Sequence, residues 1–311
     1  MSDLISSHRA GFGPGLTAIT RHDDPHEPTG LGLAVLKLAA GEHYHEVTPV
    51  ETAFLLMSGS VTVFDIYKTG RRSSFAQRSP RPLGEGMGVR ESSDEKNQVK
   101  LDNVANRNVK LARASLFDDA PGCIHLAAGA ELKLSAESPT EFTVYRTANR
   151  KPFAPRIFLP ADTADEQRGK GQVGGACLRL VRTIFDRHNS DANAELVLGE
   201  VITLPGRWSS YPPHRHRQPE IYHYRFDRPQ GYGHAELGDK VLMVRNFDSV
   251  KIFHPADHAQ CAAPGYGMYY AWVIRHLPGD PYTGPEFAVE HRWTMEPGAQ
   301  VWHPRGVGDG S

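Results

Sequence analysis

Short apolar runs, each four to eight residues long and bounded by Gly, Ser, Pro or Asp, recur along most of this chain. Long amphipathic helical patterns are scarce. Short runs separated by turn residues are typical of the strands of β-sandwiches and barrels rather than of helices. The clearest runs are residues 31–38, 52–57, 61–64, 122–126, 131–134, 141–145, 179–185, 195–202, 221–226, 240–245, 249–253 and 267–274. We therefore predict an all-β protein.

The apolar runs fall into two series, which predicts two similar β domains in tandem. We expect an N-terminal domain over residues 1–150 and a C-terminal domain over residues 176–311. Residues 151–175, rich first in Pro and then in Gly, are predicted to link the two domains. Residues 66–110 are polar and charged with little periodicity, so we predict a long insertion in the first domain.

Charge and composition exclude several classes of protein. The chain carries 35 basic and 36 acidic residues, a balance that gives no sign of a nucleic-acid or membrane-surface partner. No apolar run approaches the roughly 20 residues that a membrane span requires, and the N-terminus lacks the apolar centre of a signal peptide. The isolated cysteines Cys123, Cys177 and Cys261 fit small buried residues. We therefore expect a cytoplasmic protein.

The strongest chemical motif lies in residues 206–220, where a Gly and two prolines precede His-x-His-x3-Glu. Side chains alternate along a strand, so His214 and His216 should share one face, and a loop returns Glu220 to the same side. His258 is the fourth candidate ligand at hairpin distance, with His254 as its alternative. Two imidazoles and a carboxylate directed at one point suit one divalent transition metal, and Zn, Mn, Fe, Co and Ni are all compatible. The competing interpretation is a structural hydrogen-bonded cluster.

A weaker version of this motif occurs in the first half, where His43 and His45 follow a Gly and precede Glu51. The corresponding distal turn, residues 126–131, contains no histidine. We therefore expect that the first domain is retained for packing or subunit contact rather than for a second metal.

A longer pattern surrounds the metal motif. Residues 208–216 read Trp-Ser-Ser-Tyr-Pro-Pro-His-Arg-His, and residues 224–232 and 263–270 carry further distinctive strings. Together with residues 168–171 and Arg179, these segments resemble the 5-deoxyglucuronate isomerase / 5-keto-4-deoxyuronate isomerase family of inositol and pectin breakdown. The resemblance is close over residues 165–275 and holds only in outline before them. It implies a bicupin, two jelly-roll (double-stranded β-helix) cupin domains in tandem, with the metal in the C-terminal cupin.

The same resemblance implies aldose–ketose isomerisation of a small acidic sugar of the deoxyuronate type. The reaction moves a proton between adjacent carbons, and a metal that holds the carbonyl and hydroxyl oxygens stabilises the enediolate. The candidate catalytic residues are Glu220, Tyr222 and Tyr224, and His223 is a further candidate. For these aromatic side chains, ordinary β packing is the alternative.

A sugar acid also requires a cation for its carboxylate, and a guanidinium meets a carboxylate as a two-pronged fork. A solvated surface role is the alternative for each candidate cation, and an amide could bond a sugar hydroxyl. The candidate substrate-binding residues are Arg179, Arg182, Arg225, Lys170 and Gln230.

Two other functions are compatible with the same ligands. One is a dioxygenase, in which the metal activates oxygen, and the other is a non-catalytic sugar-binding cupin. Exposed barrel faces and edge strands also allow a homo-oligomer.

Overall fold

Strands dominate the computed structural model, which describes residues 3–68 and 108–305. The strands are β1 Leu4–Ile5, β2 Gly15–Thr20, β3 Leu31–Leu38, β4 His43–Val47, β5 Glu51–Lys68, β6 Val109–Arg113, β7 Cys123–Leu126, β8 Ala130–Ala136, β9 Thr140–Thr147, β10 Arg156–Phe158, β11 Glu166–Arg168, β12 Arg179–Phe185, β13 Leu196–Thr203, β14 Trp208–Arg215, β15 Glu220–Phe226, β16 Tyr232–Leu237, β17 Lys240–Arg245, β18 Ser249–Ile252, β19 His258–Ala262, β20 Met268–Arg275 and β21 Glu286–Phe287. Short 3-10 helices span Pro160–Asp162, Gln172–Gly175 and Val289–Met295. Among the residues that the structure describes, no helix has both the length and the apolar character needed to cross a membrane.

The first half forms one barrel from the antiparallel strands β2 to β10. The long strand β5 serves both layers, since its first part pairs with β7 and β9 and its second part pairs with β6 and β8. The crossing point is Gly59, where φ is +94° and a Cβ would lie 2.4 Å from the carbonyl oxygen of Pro139. Only glycine fits that turn of the strand.

The second half forms a barrel from two facing sheets. One sheet has the strand order β1-β18-β15-β20-β13-β12-β11, and the other has the order β17-β16-β19-β14-β21. The interiors of the two barrels differ in chemistry. Aliphatic and phenylalanine side chains such as Leu36, Phe54 and Leu134 fill the first, whereas the second contains Tyr222, Tyr224 and other polar groups.

A further apolar cluster joins the two halves. It combines Leu33 and Leu55 of the first half with Phe185, Leu198 and Val273 of the second. Strand β13 is buried along its whole length because it faces its own barrel on one side and this cluster on the other. A strand buried on both faces loses the alternation of polar and apolar residues, as the apolar run at 195–202 does.

The prediction of an all-β bicupin is confirmed. The predicted domain limits of 1–150, 151–175 and 176–311 remain predictions, and strand pairing crosses them. Strand β1, at the N-terminus, pairs with β18 of the second barrel. The predicted linker contains β10, which pairs with β7, and β11, which pairs with β12. Most of the predicted insertion at 66–110 lies outside the described residues.

Candidate metal centre

Three strand ends of the second barrel bring the four predicted ligands together. His214 lies at the end of β14 and stands opposite His258, the first residue of β19, in the antiparallel ladder. His216 follows β14 directly, and Glu220 begins β15 in the facing sheet. All four side chains are buried. The two sheets therefore converge on one point inside the mouth of the barrel.

The distances at this point are short enough for a shared ion. Ligand atoms of His216, Glu220 and His258 all lie within 4.8 Å of one another. Glu220 Oε2 is 3.1 Å from His216 Nε2 and 3.5 Å from His258 Nε2. The ring centre of His214 lies 4.3 Å from that of His258. The structure thus places three of the predicted ligands around one point and His214 beside it.

Backbone carbonyls determine which nitrogen of each imidazole faces the centre. His214 Nδ1 is 3.1 Å from the carbonyl oxygen of Ser210, and the corresponding bonds of His216 and His258 to backbone oxygens are 2.8 and 3.0 Å long. A carbonyl oxygen only accepts, so each Nδ1 carries a proton and, in the neutral ring, each Nε2 presents a lone pair. This is the tautomer that a metal-binding histidine needs.

At least two of these nitrogens lack a hydrogen-bond donor among the residues that the structure describes. His258 Nε2 is buried and makes no hydrogen bond among the described residues. In the neutral tautomer, His216 Nε2 and Glu220 Oε2 are two acceptors 3.1 Å apart, which a cation between them would satisfy. Burial, followed by the nearby charge of His216, lowers the pKa of His214 to about 4. Burial likewise lowers the pKa of His258. The donor set therefore fits a divalent transition metal.

A cavity of about 580 Å³, including space open to solvent, leads to this centre. Its wall combines cationic, hydroxyl and apolar side chains. The lining residues are Arg168, Arg179, Val181, Val201, Ser210, His214, His216, Glu220, Tyr222, Trp272, Ile274, Tyr282, Pro285 and Phe287.

Arg179 is the one predicted substrate-binding residue among those that line the cavity. Its guanidinium donates to the carbonyl oxygens of Cys177 at 3.0 Å and of Tyr211 at 3.4 Å. Among the described residues no carboxylate pairs with it, and burial lowers its pKa. A partly buried guanidinium without a counter-ion is unfavourable, so this position is suited to an anion supplied from outside the protein.

The remaining candidate cations lie away from the cavity. Arg182 pairs with Asp165 and, at 3.0 Å, with Glu200 in the buried interior. Arg225 pairs with Glu141 at 2.7 Å. Lys170 and Gln230 are exposed and do not line the cavity. The predicted substrate contacts of these four residues therefore have no support in the geometry.

Two of the candidate catalytic residues line the cavity, and two lie away from it. Glu220 and Tyr222 line the cavity. Burial and the charge of Glu220 raise the pKa of Tyr222 well above its usual value, so its phenol stays protonated. Tyr224 lies deeper in the barrel, where its hydroxyl donates to Gln260 Oε1 at 2.7 Å. His223 points out of the barrel and bonds Ser249 at 2.8 Å.

Sequence reasoning missed several residues of the cavity wall. Tyr282 and Phe287 come from the segment after β20, where the ring of Tyr282 lies 5.0 Å from that of His216 and the ring of Phe287 lies 5.9 Å from that of His214. No motif marks this segment, and the pairing of β21 with β14 and the hydrogen bond from Gln218 to the carbonyl oxygen of Asp280 bring it to the site. Ser210 lies inside the recognised string, where alternation along the strand could have indicated it.

The histidines of the first barrel do not assemble a comparable site. His43 and His45 are exposed, and His45 pairs with Glu131 at 2.9 Å. Glu51 is buried and accepts a hydrogen bond from His125 at 2.8 Å. Within the described ranges, the His216–Glu220–His258 group is the only cluster of this kind.

Comparisons with known proteins agree with this architecture. The model of the KduI/IolB family matches residues 96–294, well over half of the chain. The 5-deoxy-glucuronate isomerase of Shouchella clausii is 30% identical over 179 residues, which are 52% of this chain and 64% of that protein, less than two thirds of its length. The 5-deoxy-glucuronate isomerase of Geobacillus kaustophilus is 26% identical over 69% of this chain and 83% of its own. The crystal structure of an IolB-like protein from Salmonella typhimurium has a TM-score of 0.66 at 22% identity, over 92% of this chain and 97% of its own.

Proposed function

Because this chain belongs to the KduI/IolB family, we propose that it is a metal-dependent aldose–ketose isomerase of a deoxyuronate-type sugar acid. The observation that carries the proposal is that Arg179 and the histidine–carboxylate cluster line the same cavity. A sugar acid has the matching arrangement, since an anionic group stands at one end and the carbonyl and hydroxyl oxygens that react stand at the other.

His214, His216, Glu220 and His258 would hold one divalent transition metal, with Zn, Mn, Fe, Co and Ni all compatible with these ligands. A divalent ion bound there would supply a Lewis acid for the carbonyl and adjacent hydroxyl oxygens of the sugar.

Arg179 would bind the substrate carboxylate. The backbone carbonyls of Cys177 and Tyr211 hold its guanidinium in place, so little side-chain freedom is lost on binding. Arg168 lines the same cavity and pairs with Glu166 at 2.7 Å, so it contributes a weaker second positive charge.

Two cavity groups are suited to proton movement between adjacent carbons. Glu220 supplies a carboxylate that can accept and return a proton. Tyr222 remains a protonated phenol because of its burial, so it is suited to donate a hydrogen bond to a sugar oxygen rather than to act as a base. Val181, Val201 and Ile274 line the same cavity, and their apolar side chains would limit the contact of water with the reacting carbons.

The test is to incubate metal-loaded protein with 5-deoxyglucuronate in deuterated water and to follow the sugar by NMR. We expect interconversion of aldose and ketose, with deuterium entering beside the carbonyl, and loss of activity after chelation that added metal restores. Removal of both His214 and His216 should abolish metal binding. Oxygen uptake coupled to product formation would instead indicate a dioxygenase, and metal-loaded protein that binds the sugar without converting it would indicate a binding protein.

A further inference from the structure

Ser210 adopts a backbone conformation that a residue with a side chain rarely uses. Its φ is +51°, in the left-handed region. It lies where the ladder between β14 and β19 is interrupted, since regular pairing stops at Ser209 and resumes at His214. A non-glycine residue in this region costs about 1 kcal/mol or more unless surrounding contacts hold it.

This conformation directs the backbone of Ser210 at a ligand of the metal centre. The carbonyl oxygen of Ser210 accepts the hydrogen bond from His214 Nδ1 at 3.1 Å. That bond keeps the Nδ1 proton in place and directs the Nε2 lone pair into the cavity. The direction of the His214 ring therefore depends on a backbone carbonyl in the irregular part of β14.

The side chain of Ser210 is anchored by a row of hydroxyl groups. Ser210 Oγ lies 3.0 Å from the hydroxyl of Tyr270, which in turn donates to Ser209 Oγ at 2.9 Å. Ser209 also accepts from Thr203 at 2.6 Å. Tyr270 has one hydroxyl proton, and Ser209 receives it, so Ser210 donates to the phenolic oxygen. Since Ser209, Thr203 and Tyr270 are fully buried, water cannot replace these bonds easily.

We propose that Ser210 and Tyr270 are positioning residues that hold His214 as a ligand of the metal centre, an inference that rests on the proposed function. The phenol of Tyr270 fixes the Ser210 hydroxyl, the fixed side chain stabilises the left-handed backbone, and the carbonyl of that residue orients the imidazole. Neither residue has to contact the substrate for this role.

The test is a titration of the metal-free full-length protein with Co²⁺. Calorimetry measures the affinity, and the visible absorption of the bound ion reports its ligands. Partners that orient metal ligands typically contribute about 10- to 100-fold in metal affinity. We expect Tyr270→Phe to weaken Co²⁺ binding by about tenfold and to change the absorption bands, because His214 is released. The control is Tyr269→Phe on the opposite face of β20, which removes a buried hydroxyl bonded to Glu200 at 2.8 Å and should leave both readings unchanged.

Two further comparisons keep the proposal testable if Tyr270→Phe folds poorly. Ser210→Ala retains the backbone strain without the anchor, whereas Ser210→Gly removes the strain as well, so Ser210→Ala should bind Co²⁺ more weakly than Ser210→Gly. In a His214→Ala background, Ser210→Ala should cause no further loss of affinity, since the coupled ligand is already absent.

Equal losses with and without His214, or wild-type affinity and spectrum in both Tyr270→Phe and Ser210→Ala, would overturn the positioning role. If the wild-type protein itself bound no Co²⁺, the metal centre of the proposed function would fail and this inference with it. Co²⁺ binding by the wild-type protein therefore tests the metal centre, and the variants test the positioning role separately.

Discussion

At the scale of single residues, three arginines that the sequence predicts to bind substrate differ in whether a carboxylate pairs with them. Arg182 and Arg225 are each buried with a carboxylate, and such pairs leave little capacity for a second anion. Among the described parts of the chain, Arg179 has backbone carbonyls but no carboxylate as partners, and it faces the cavity. The unpaired guanidinium is therefore the best-placed anion site of the three.

Replacing Arg179 should selectively weaken binding of the acid. Hydrogen bonds to charged groups contribute about 1.5–3 kcal/mol, so Arg179→Gln should raise the KM for the sugar acid by about tenfold or more. Metal content, measured by elemental analysis, should not change. An equal loss of affinity for an uncharged analogue of the same sugar would contradict a carboxylate contact.

A matched pair of glycines tests the same site through the backbone. A Cβ on Gly169 would lie 2.2 Å from the carbonyl oxygen of Cys177 and 2.6 Å from Arg179 Nη1, whereas a Cβ on Gly171 would meet nothing within 4 Å. Both residues have similar positive φ, +73° and +79°. We expect Gly169→Ala to raise the KM for the acid and to destabilise the protein, and Gly171→Ala to show only the cost of the backbone conformation, about 1 kcal/mol. Similar KM values in the two variants would contradict the role of Arg179.

At the scale of elements, one face of strand β15 lines the cavity and the other contacts the rest of the fold. Glu220 and Tyr222 face the cavity of the candidate metal centre. His223 and Arg225 face outward, where Arg225 reaches Glu141 of the first half and lies 5.8 Å from the ring centre of Phe12 in the N-terminal arm. One strand thus connects the site to the surrounding fold.

His223, on the outward face of β15, should make the free energy of unfolding depend on pH. His223 is buried, donates from Nδ1 to Ser249 Oγ at 2.8 Å and accepts from Arg225 at Nε2. Burial, then the charges of Arg225 and His8, lower its pKa well below the usual value. The unfolded chain therefore binds a proton below about pH 6.5 that the folded protein does not, so stability falls as pH decreases by about 1.4 kcal/mol per unit for this group.

Urea unfolding of metal-free protein between pH 7.5 and pH 5 measures this dependence. His223→Gln keeps one donor and one acceptor but cannot titrate, so its stability should decline less steeply toward acid than that of the wild type. Parallel declines in the two proteins would show that His223 does not contribute.

At the scale of the whole molecule, buried charges tie the two barrels together. Arg113 of the first half bonds Glu200 of the second at 2.6 and 3.0 Å. In the opposite direction, Glu51 of the first half accepts hydrogen bonds from the backbone of Glu195 and Leu196 at 2.8 and 2.9 Å. These contacts surround the shared apolar cluster, so we expect both halves to unfold in a single transition.

Neutralising one side of this connection should destabilise the entire chain. Breaking a buried ion pair by removing one partner costs about 3–5 kcal/mol, so Glu200→Gln should lower the free energy of unfolding by that order. The control is Glu137→Gln, since the bond of Glu137 to Lys110 is exposed and such pairs contribute about 1 kcal/mol or less. Denaturant unfolding monitored in both halves is the measurement. Separate transitions, with only one displaced, would contradict a single cooperative unit.

The sequence alone predicted the fold class, which is confirmed, and the set of four candidate ligands, which the structure brings close together. Runs of four to eight apolar residues bounded by turn residues predict β-strands. Alternation along a strand puts His214 and His216 on one face. Local rules of this kind need no knowledge of distant partners. The prediction treated Arg179 and Arg182 alike, although residues three apart on a strand point to opposite faces, and only the structure separated them.

Only the tertiary structure decided which polar groups are free to act. Glu51 belongs to a motif resembling the metal site but bonds across to the second half, and Tyr224 shares the face of Tyr222 but lies too deep to line the cavity. Tyr282 and Phe287 reach the site through strand pairing that no local pattern marks. The physical reason is that a buried charge or phenol takes its role from the partner opposite it, and that partner comes from a distant part of the chain.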